Sequence, residues 1–442
     1  MQPSLKGQSL RWCFFSPGRR ALDVLGGDSR TSGGAEAQVA YLAAAMAGLG
    51  HKVSLIYGDG SQHCPPTELA SVTCIDAAPR WRKPASIAAF WRALKGASPD
   101  VIYARLPSDF LVLQGLLGRF DGRARFIYAL AHDDHCRPWH AYSYKRWLHA
   151  PLYALGLQSA VAILAQHEGQ RARLARRLQG RTICVPNLVR SFAPAPRDFE
   201  STSIDAIWVA QIRPEKRLES FLDLATSAPD LSCSVVGGFD PTLPAACRVE
   251  LEQRMLSLSN VTYWGPQPAD VVMSLLARSK VLVNTSSGEG FPNSMLEAWS
   301  LGVPVVSLAV DPGGIITQQG IGLLSGSDVE LCNDVRLLTQ RAALNDQIGV
   351  RALAYVKGRH SLEAVCAALS PAIFAPPLQP ASIALNSPEK PSHDAGKPSQ
   401  RSRPSRHRCC RTPPCPEGGR SPHRAAFARR QRETALHVPC PL

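Results

Sequence analysis

The chain contains no C-x-x-C pair, and its 13 cysteines are an odd number, so neither a disulfide framework nor a paired-cysteine metal site has support. Most of them, such as Cys13, Cys74, Cys184 and Cys233, sit in apolar runs where cysteine behaves as a small core residue, which fits a reducing cytosol. Long apolar stretches are also missing. The least polar one, Ala150 to Gln166, is interrupted by Pro151, Gln158 and Ser159, too short and too broken to cross a bilayer. The N-terminal segment MQPSLKGQSLRWCFFSPGRR has no apolar region of the kind a secretory signal needs. Charged residues make up only 19% against 45% apolar, which excludes a wholly disordered chain. These absences lead us to expect a cytoplasmic protein, soluble or peripheral on the inner face of a membrane.

What is present is length and positive charge. The 442 residues are enough for two to three domains with their own cores. The net charge of +14 alone points to nucleic acid or an anionic membrane. The excess is uneven, however. Residues 371–442 hold 12 basic and 4 acidic residues, or +8, with 14 of the 36 prolines, leaving +6 for the rest. No nucleic-acid-binding motif accompanies it, so no nucleic-acid partner is expected. From about Ala375 the apolar periodicity stops, and this Pro/Arg-rich segment is expected to be disordered and dispensable, such that truncation after about Ser370 spares activity.

Upstream, short apolar runs alternate with amphipathic stretches. Strands are expected at Arg11–Ser16, Lys52–Gly58, Val101–Arg105, Arg125–Leu130, Val161–Gln166 and Arg181–Leu188, with helices such as Ala35–Leu49 and Glu168–Leu178. The proline-rich SFAPAPRDFESTS, residues 191–203, reads as a linker. Alternation then restarts with strands at Ala206–Ile212, Leu231–Gly237, Val261–Trp264, Val281–Thr285 and Pro304–Leu308. Helices follow at Leu218–Ser227, Ala245–Leu258, Ala269–Ala277, Ser294–Leu301 and Val329–Leu344. The fold class is therefore α/β: two doubly wound Rossmann-like domains, 1–190 and 204–370, joined by 191–203 and followed by the tail 371–442.

The densest chemistry lies in SSGEGFPNSMLEAWSLGVPVV, residues 286–306. A strand runs into a glycine-flanked loop and then a helix, whose unpaired N–H groups and positive dipole end suit a phosphate. Glu289 and Glu297 put two carboxylates beside it, which accept hydrogen bonds from hydroxyls rather than bind phosphate. Phosphate donors next to hydroxyl acceptors suit a nucleotide sugar. The plain alternative is two acids favoured by the helix dipole. Arg213 and Lys216 follow an expected buried strand, where ligands gather in parallel sheets, and could pair with a diphosphate; the plain alternative is a charged helix start. Gly33 and Gly34 precede a helix with Glu36 in its first turn, without the G-x-G-x-x-G of a dinucleotide site.

Glu-Gly-Phe-Pro-Asn followed by Glu297 resembles the signature of glycosyltransferase family 4, a large GT-B group of retaining transferases. WVAQIRPEKRLESFLDLA (Trp208–Ala225) and SGGAEAQVAYLAAAMAGLGHKVSLI (Ser32–Ile56) are similar to further segments of that family, in matching order. The resemblance spans residues 10 to about 370. It implies a GT-B fold with acceptor side first and donor side second. It also implies that Arg213 and Lys216 stabilise the departing diphosphate and that Glu289 orients the sugar. Glu297 then holds the ribose, and Gly33, Gly34, Gly290, Phe291, Pro292 and Asn293 line the donor site. An N-domain histidine at a strand end contacts the donor sugar in many members; His132 is the candidate, with His135 second. The chain holds no D-x-D, which fits transfer without an obligatory metal, and no other cofactor is implied. His132, Asp133, Asp134 and His135 are adjacent, a spacing that rarely converges on one ion.

The basic and aromatic segments PRWRKPASIAAFWRALK (Pro79–Lys95) and RPWHAYSYKRWLH (Arg137–His149) fit an anionic lipid surface, a nucleic acid, or a solvated helix face with tryptophan in the core. The expected function is a retaining hexosyltransferase-like enzyme acting on a glycan or lipid-linked hydroxyl acceptor, in polysaccharide or glycolipid biosynthesis. A nucleotide-sugar epimerase or hydrolase on the same fold, and a non-catalytic sugar-nucleotide sensor, are the alternatives.

Overall fold

The computed structural model describes residues 5, 8–28, 30, 33–58, 67–77, 84–122, 124–141, 146–190, 199–200 and 202–374. Most of the expected linker, the Arg80–Lys83 cluster and the expected tail from residue 375 onward lie outside the described residues.

Two sheets dominate. The first holds β1 (Arg11–Phe15), β2 (Lys52–Tyr57), β3 (Thr67–Leu69), β4 (Val72–Asp76), β5 (Val101–Ala104), β6 (Arg125–Ala129), β7 (Ala162–Ala165) and β8 (Thr182–Cys184), in the order β3-β4-β2-β1-β5-β6-β7-β8. All neighbours are parallel except the β3–β4 hairpin. The second holds β9 (Ile204–Val209), β10 (Cys233–Val236), β11 (Val261–Tyr263), β12 (Ser279–Asn284), β13 (Val305–Ser307) and β14 (Gly322–Leu324), all parallel, in the order β11-β10-β9-β12-β13-β14. The runs are apolar because helices cover both faces: every residue of β5, β7 and β10 is buried. In each sheet the chain reverses direction of travel once, between β1 and β5 and between β9 and β12, and ligands of doubly wound sheets bind beyond the carboxyl ends at such a point.

Three elements depart from the sequence-based expectation. The hairpin β3–β4 turns on Ala70 and Ser71, both at positive φ (51° and 59°), the conformation that usually calls for asparagine or glycine. The expected helix Val329–Leu344 is two helices, Asp328–Gln340 and Ala342–Arg359, broken at Arg341; Ser327 caps the first by accepting from the Glu330 amide at 3.2 Å. Likewise Glu168–Leu178 is broken at Leu174 into Glu168–Arg173 and Arg176–Gln179.

The expected boundary at residue 370 also shifts. The helix Leu362–Phe374 returns to the first sheet and buries Val365, Cys366, Leu369, Ala372 and Ile373 in its core. The Arg125 Nε donates to the Ala372 carbonyl at 3.1 Å. A truncation that spares this core must therefore fall after Phe374 rather than after Ser370. The two crossings between the sheets touch: the His360 ring, 1% exposed, bonds the Asn187 carbonyl at 2.8 Å, and the Val189 amide donates to the His360 carbonyl at 3.2 Å.

Candidate active site

A cleft of about 520 Å³ runs between the two sheets, within the range of small-molecule sites. Segments that follow the carboxyl ends of strands line it: Gly33 and Gly34 after β1, Arg105 after β5, His132 after β6 and Gln166 after β7 on one wall. The other wall carries Arg213 and Lys216 after β9, and Glu289, Phe291, Pro292, Asn293 and Glu297 after β12. Every site residue named from the sequence borders this cleft except Gly290, which sits between two that do.

The loops after β9 and β12 are stitched together at the reversal point. The Thr285 hydroxyl donates to the Lys216 carbonyl at 2.6 Å and accepts from the Trp208 indole at 2.9 Å; the Ser287 amide donates to the Glu215 carbonyl at 2.9 Å. Lys216 and Glu289 form an ion pair, and the Ser286 hydroxyl donates to Glu289 at 2.8 Å. Arg213 pairs with Asp240 at 2.9 Å and donates to the Gln211 side chain. Both cations thus stand on the cleft wall with a carboxylate attached. Asp240 was not anticipated, because nothing in GGFD marks it before the fold places it opposite Arg213.

The helix Asn293–Ser300 opens on the cleft and carries Glu297. Burial pushes the Glu297 carboxyl up to about 7, opposed by the Arg190 guanidinium, and the same environment with Glu297 itself pushes Tyr41 up to about 12. A carboxyl whose folded value lies above its unfolded one stabilises the fold fully below about pH 4.5, and that contribution is lost as pH rises through about 7. Glu297→Gln should therefore flatten the stability profile, so that wild type loses up to ~3 kcal/mol relative to the variant between pH 5 and 8. Denaturant melts across that range check it; parallel profiles would contradict the assignment.

Facing this helix, the glycine loop comes close. The Asn293 amide donates to the Gly34 carbonyl at 2.9 Å, and its oxygen accepts from Gln38 at 3.2 Å and Asn187 at 3.3 Å. A Cβ on Gly34 would stand 3.2 Å from the Asn293 amide nitrogen, tight enough to disturb this contact. Asn187 also donates to the Phe291 carbonyl at 3.3 Å and accepts from Arg105 at 2.6 Å and Gln166 at 3.1 Å. Asn187, Gln38 and Gln166 were missed from the sequence; a side-chain amide after a strand, or in the first turns of a helix as Gln38 is, carries no signal until its partners are in place.

Of the histidines, His132 is partly exposed and accepts from the Asp134 amide at 3.1 Å, capping the short turn Asp133–Cys136. His135 is pushed down to about 3 by burial, then by His132 and Arg105, so it stays neutral. Asp133 turns away from both, toward His167 and Arg173. Among the described residues, no three His, Cys, Asp or Glu side chains are grouped to hold a metal ion.

Comparison with known proteins decides the family. The model of a glycosyl transferase 4-like domain matches residues 33–187, and that of glycosyl transferases group 1 matches residues 204–340, the two halves on either side of the cleft. The chain belongs to the group 1 glycosyltransferases. Its GT-B fold is shared with HepE of Anabaena, solved with UDP and glucose (TM-score 0.63, 18% identity, covering 83% of this chain and 100% of that one). Sucrose-phosphate synthase of Thermosynechococcus elongatus is similar too (TM-score 0.62, 17% identity, covering 80% and 96%). A curated relative, glycosyltransferase 1 domain-containing protein 1 of Xenopus tropicalis, is 28% identical over 147 residues, 33% of this chain and 41% of that protein's length.

Trp139 and Trp147 are exposed (56% and 71%), so the Arg137–His149 segment does not bury them in a core, whereas Trp91 packs against the first domain's interior. Among the described residues no helix is long and apolar enough to cross a membrane.

Proposed function

We propose that the transferase moves a sugar from a nucleotide-sugar donor to a hydroxyl of a glycan or lipid-linked acceptor, with retention of anomeric configuration. The observation that carries this reading is the pairing of Lys216 with Glu289 at the reversal point of the second sheet, where loop amides and two cations meet. The donor diphosphate would displace the carboxylates from Lys216 and Arg213, and both cations then stabilise charge developing on the leaving group. Released from Lys216, Glu289 accepts hydrogen bonds from the sugar. Glu297, near its own midpoint at neutral pH, holds the ribose hydroxyls. His132 approaches the sugar from the opposite wall. The fixed cations take the charge-neutralising task, so no obligatory metal is invoked.

Structural neighbours support this choice of donor: HepE is solved with UDP-glucose, and TarM of S. aureus with UDP. WaaG, involved in lipopolysaccharide biosynthesis, shares the fold, and a place in polysaccharide or glycolipid assembly fits (TM-score 0.59). The exposed Trp139 and Trp147 beside Arg137 suit peripheral contact with an anionic membrane, on the cytoplasmic side where sugar nucleotides are found. A thermal-shift panel of UDP-, GDP- and ADP-sugars tests the donor assignment. One of them should raise the melting temperature by several degrees at about 100 times its Kd, and silence from all of them would count against a transferase site.

A further inference from the structure

Arg105 is the first residue after β5, at the reversal point of the first sheet, and borders the cleft. It is 6% exposed. One terminal nitrogen donates to the Asn187 side chain at 2.6 Å and the other to the Tyr103 hydroxyl at 3.4 Å, while its Nε meets no acceptor. A small pocket of about 20 Å³ beside it, also lined by Tyr103 and Gln166, has room for one water molecule. Amide, phenol and water can satisfy hydrogen bonds; none balances the charge.

The other cleft cations differ in this respect. Arg20 pairs with Glu36, Arg30 with Asp28, Arg213 with Asp240 and Lys216 with Glu289. Among the described residues Arg105 is the cleft arginine with no carboxylate partner, and its neighbour His135 is neutral. Burying a guanidinium without a counter-charge costs free energy, and a forked donor at the crevice of a doubly wound sheet suits a planar or tetrahedral oxyanion.

We propose that Arg105 binds an anionic group, phosphate or carboxylate, carried by the acceptor. The proposal rests on the transferase reading of the cleft and adds the class of acceptor: a hydroxyl compound with an oxyanion within reach of the wall opposite the donor. Arg213 and Lys216 remain with the donor diphosphate, so the two anions are held from separate walls.

The test uses the full chain, first saturated with whichever of UDP, GDP or ADP it binds, then titrated calorimetrically with inorganic phosphate and, separately, acetate. Wild type should bind one of the two, phosphate indicating a phosphorylated acceptor and acetate a carboxylated one. Arg105→Met should lose about tenfold or more of that affinity while nucleotide affinity stays within about twofold. Arg105→Lys, which keeps charge but not the fork, should fall between; it also serves if the methionine variant fails to fold, and full anion affinity in it then overturns the proposal. Absence of anion binding in the loaded wild type, unchanged binding in Arg105→Met, or loss of nucleotide affinity instead would each overturn it. If no nucleoside diphosphate binds, the transferase reading has failed. The same titrations on the bare protein, with Arg213→Gln as control, still report on Arg105: loss in the Arg105 variants alone supports anion binding there, and equal binding in all opposes it.

Discussion

Lys216→Ala is expected to lower sugar transfer about 10²- to 10³-fold, mostly in kcat, the scale seen when one preorganised donor to a developing anion is removed. The lysine is held in place before any donor arrives, by its ion pair with Glu289 and by the Thr285 hydroxyl on its own carbonyl. The Thr285 contact does not involve the carboxylate that the diphosphate displaces, so the lysine backbone stays fixed when the leaving group takes up charge. Because Glu289 is bound to the same ammonium group, Glu289→Ala and Lys216→Ala should not add: the double variant should be scarcely worse than the poorer single one. Steady-state rates with the donor found by thermal shift measure this. Undiminished transfer by both single variants would sink the assignment of the site.

Gly290→Ala is the second large effect, expected to cost about 100-fold in kcat/KM with little change in melting temperature. A Cβ at this position would fall about 2.5 Å from the Ala131 carbonyl oxygen and against the Gln166 side chain, both on the other domain. Neither backbone can yield alone, since Ala131 leads directly into His132 and Gly290 into Phe291. The methyl group therefore holds the walls apart by something near an ångström, enough to misalign groups that must meet across the cleft. Normal kcat/KM in the variant would show that the walls need not approach this closely.

The sequence made much of this legible because the signals are local. Buried parallel strands read as continuous apolar runs, and the strand–loop–helix around Glu289 holds its cleft residues within a few positions of one another. Less legible were features made by distant residues meeting. Asp240 lies 27 positions beyond Arg213, and Asn187 joins Arg105 across 82 residues and Phe291 and Asn293 across more than a hundred. The Ala70–Ser71 hairpin escaped because its turn uses residues that do not advertise positive φ. The helix breaks at Leu174 and Arg341 escaped because apolar spacing continues through them while the backbone does not.

The returning helix Leu362–Phe374 has a consequence for the order of assembly. The first sheet's core includes Val365, Leu369 and Ile373, which leave the ribosome only after the whole second sheet has emerged. Vectorial synthesis commonly lets the leading domain finish first. In this chain the second domain, continuous from β9 to Arg359, can close on itself while the first still has its apolar flank uncovered. The leading half is begun early and completed last, and a nascent chain paused before Leu362 presents that bare flank to whatever binds newly made protein.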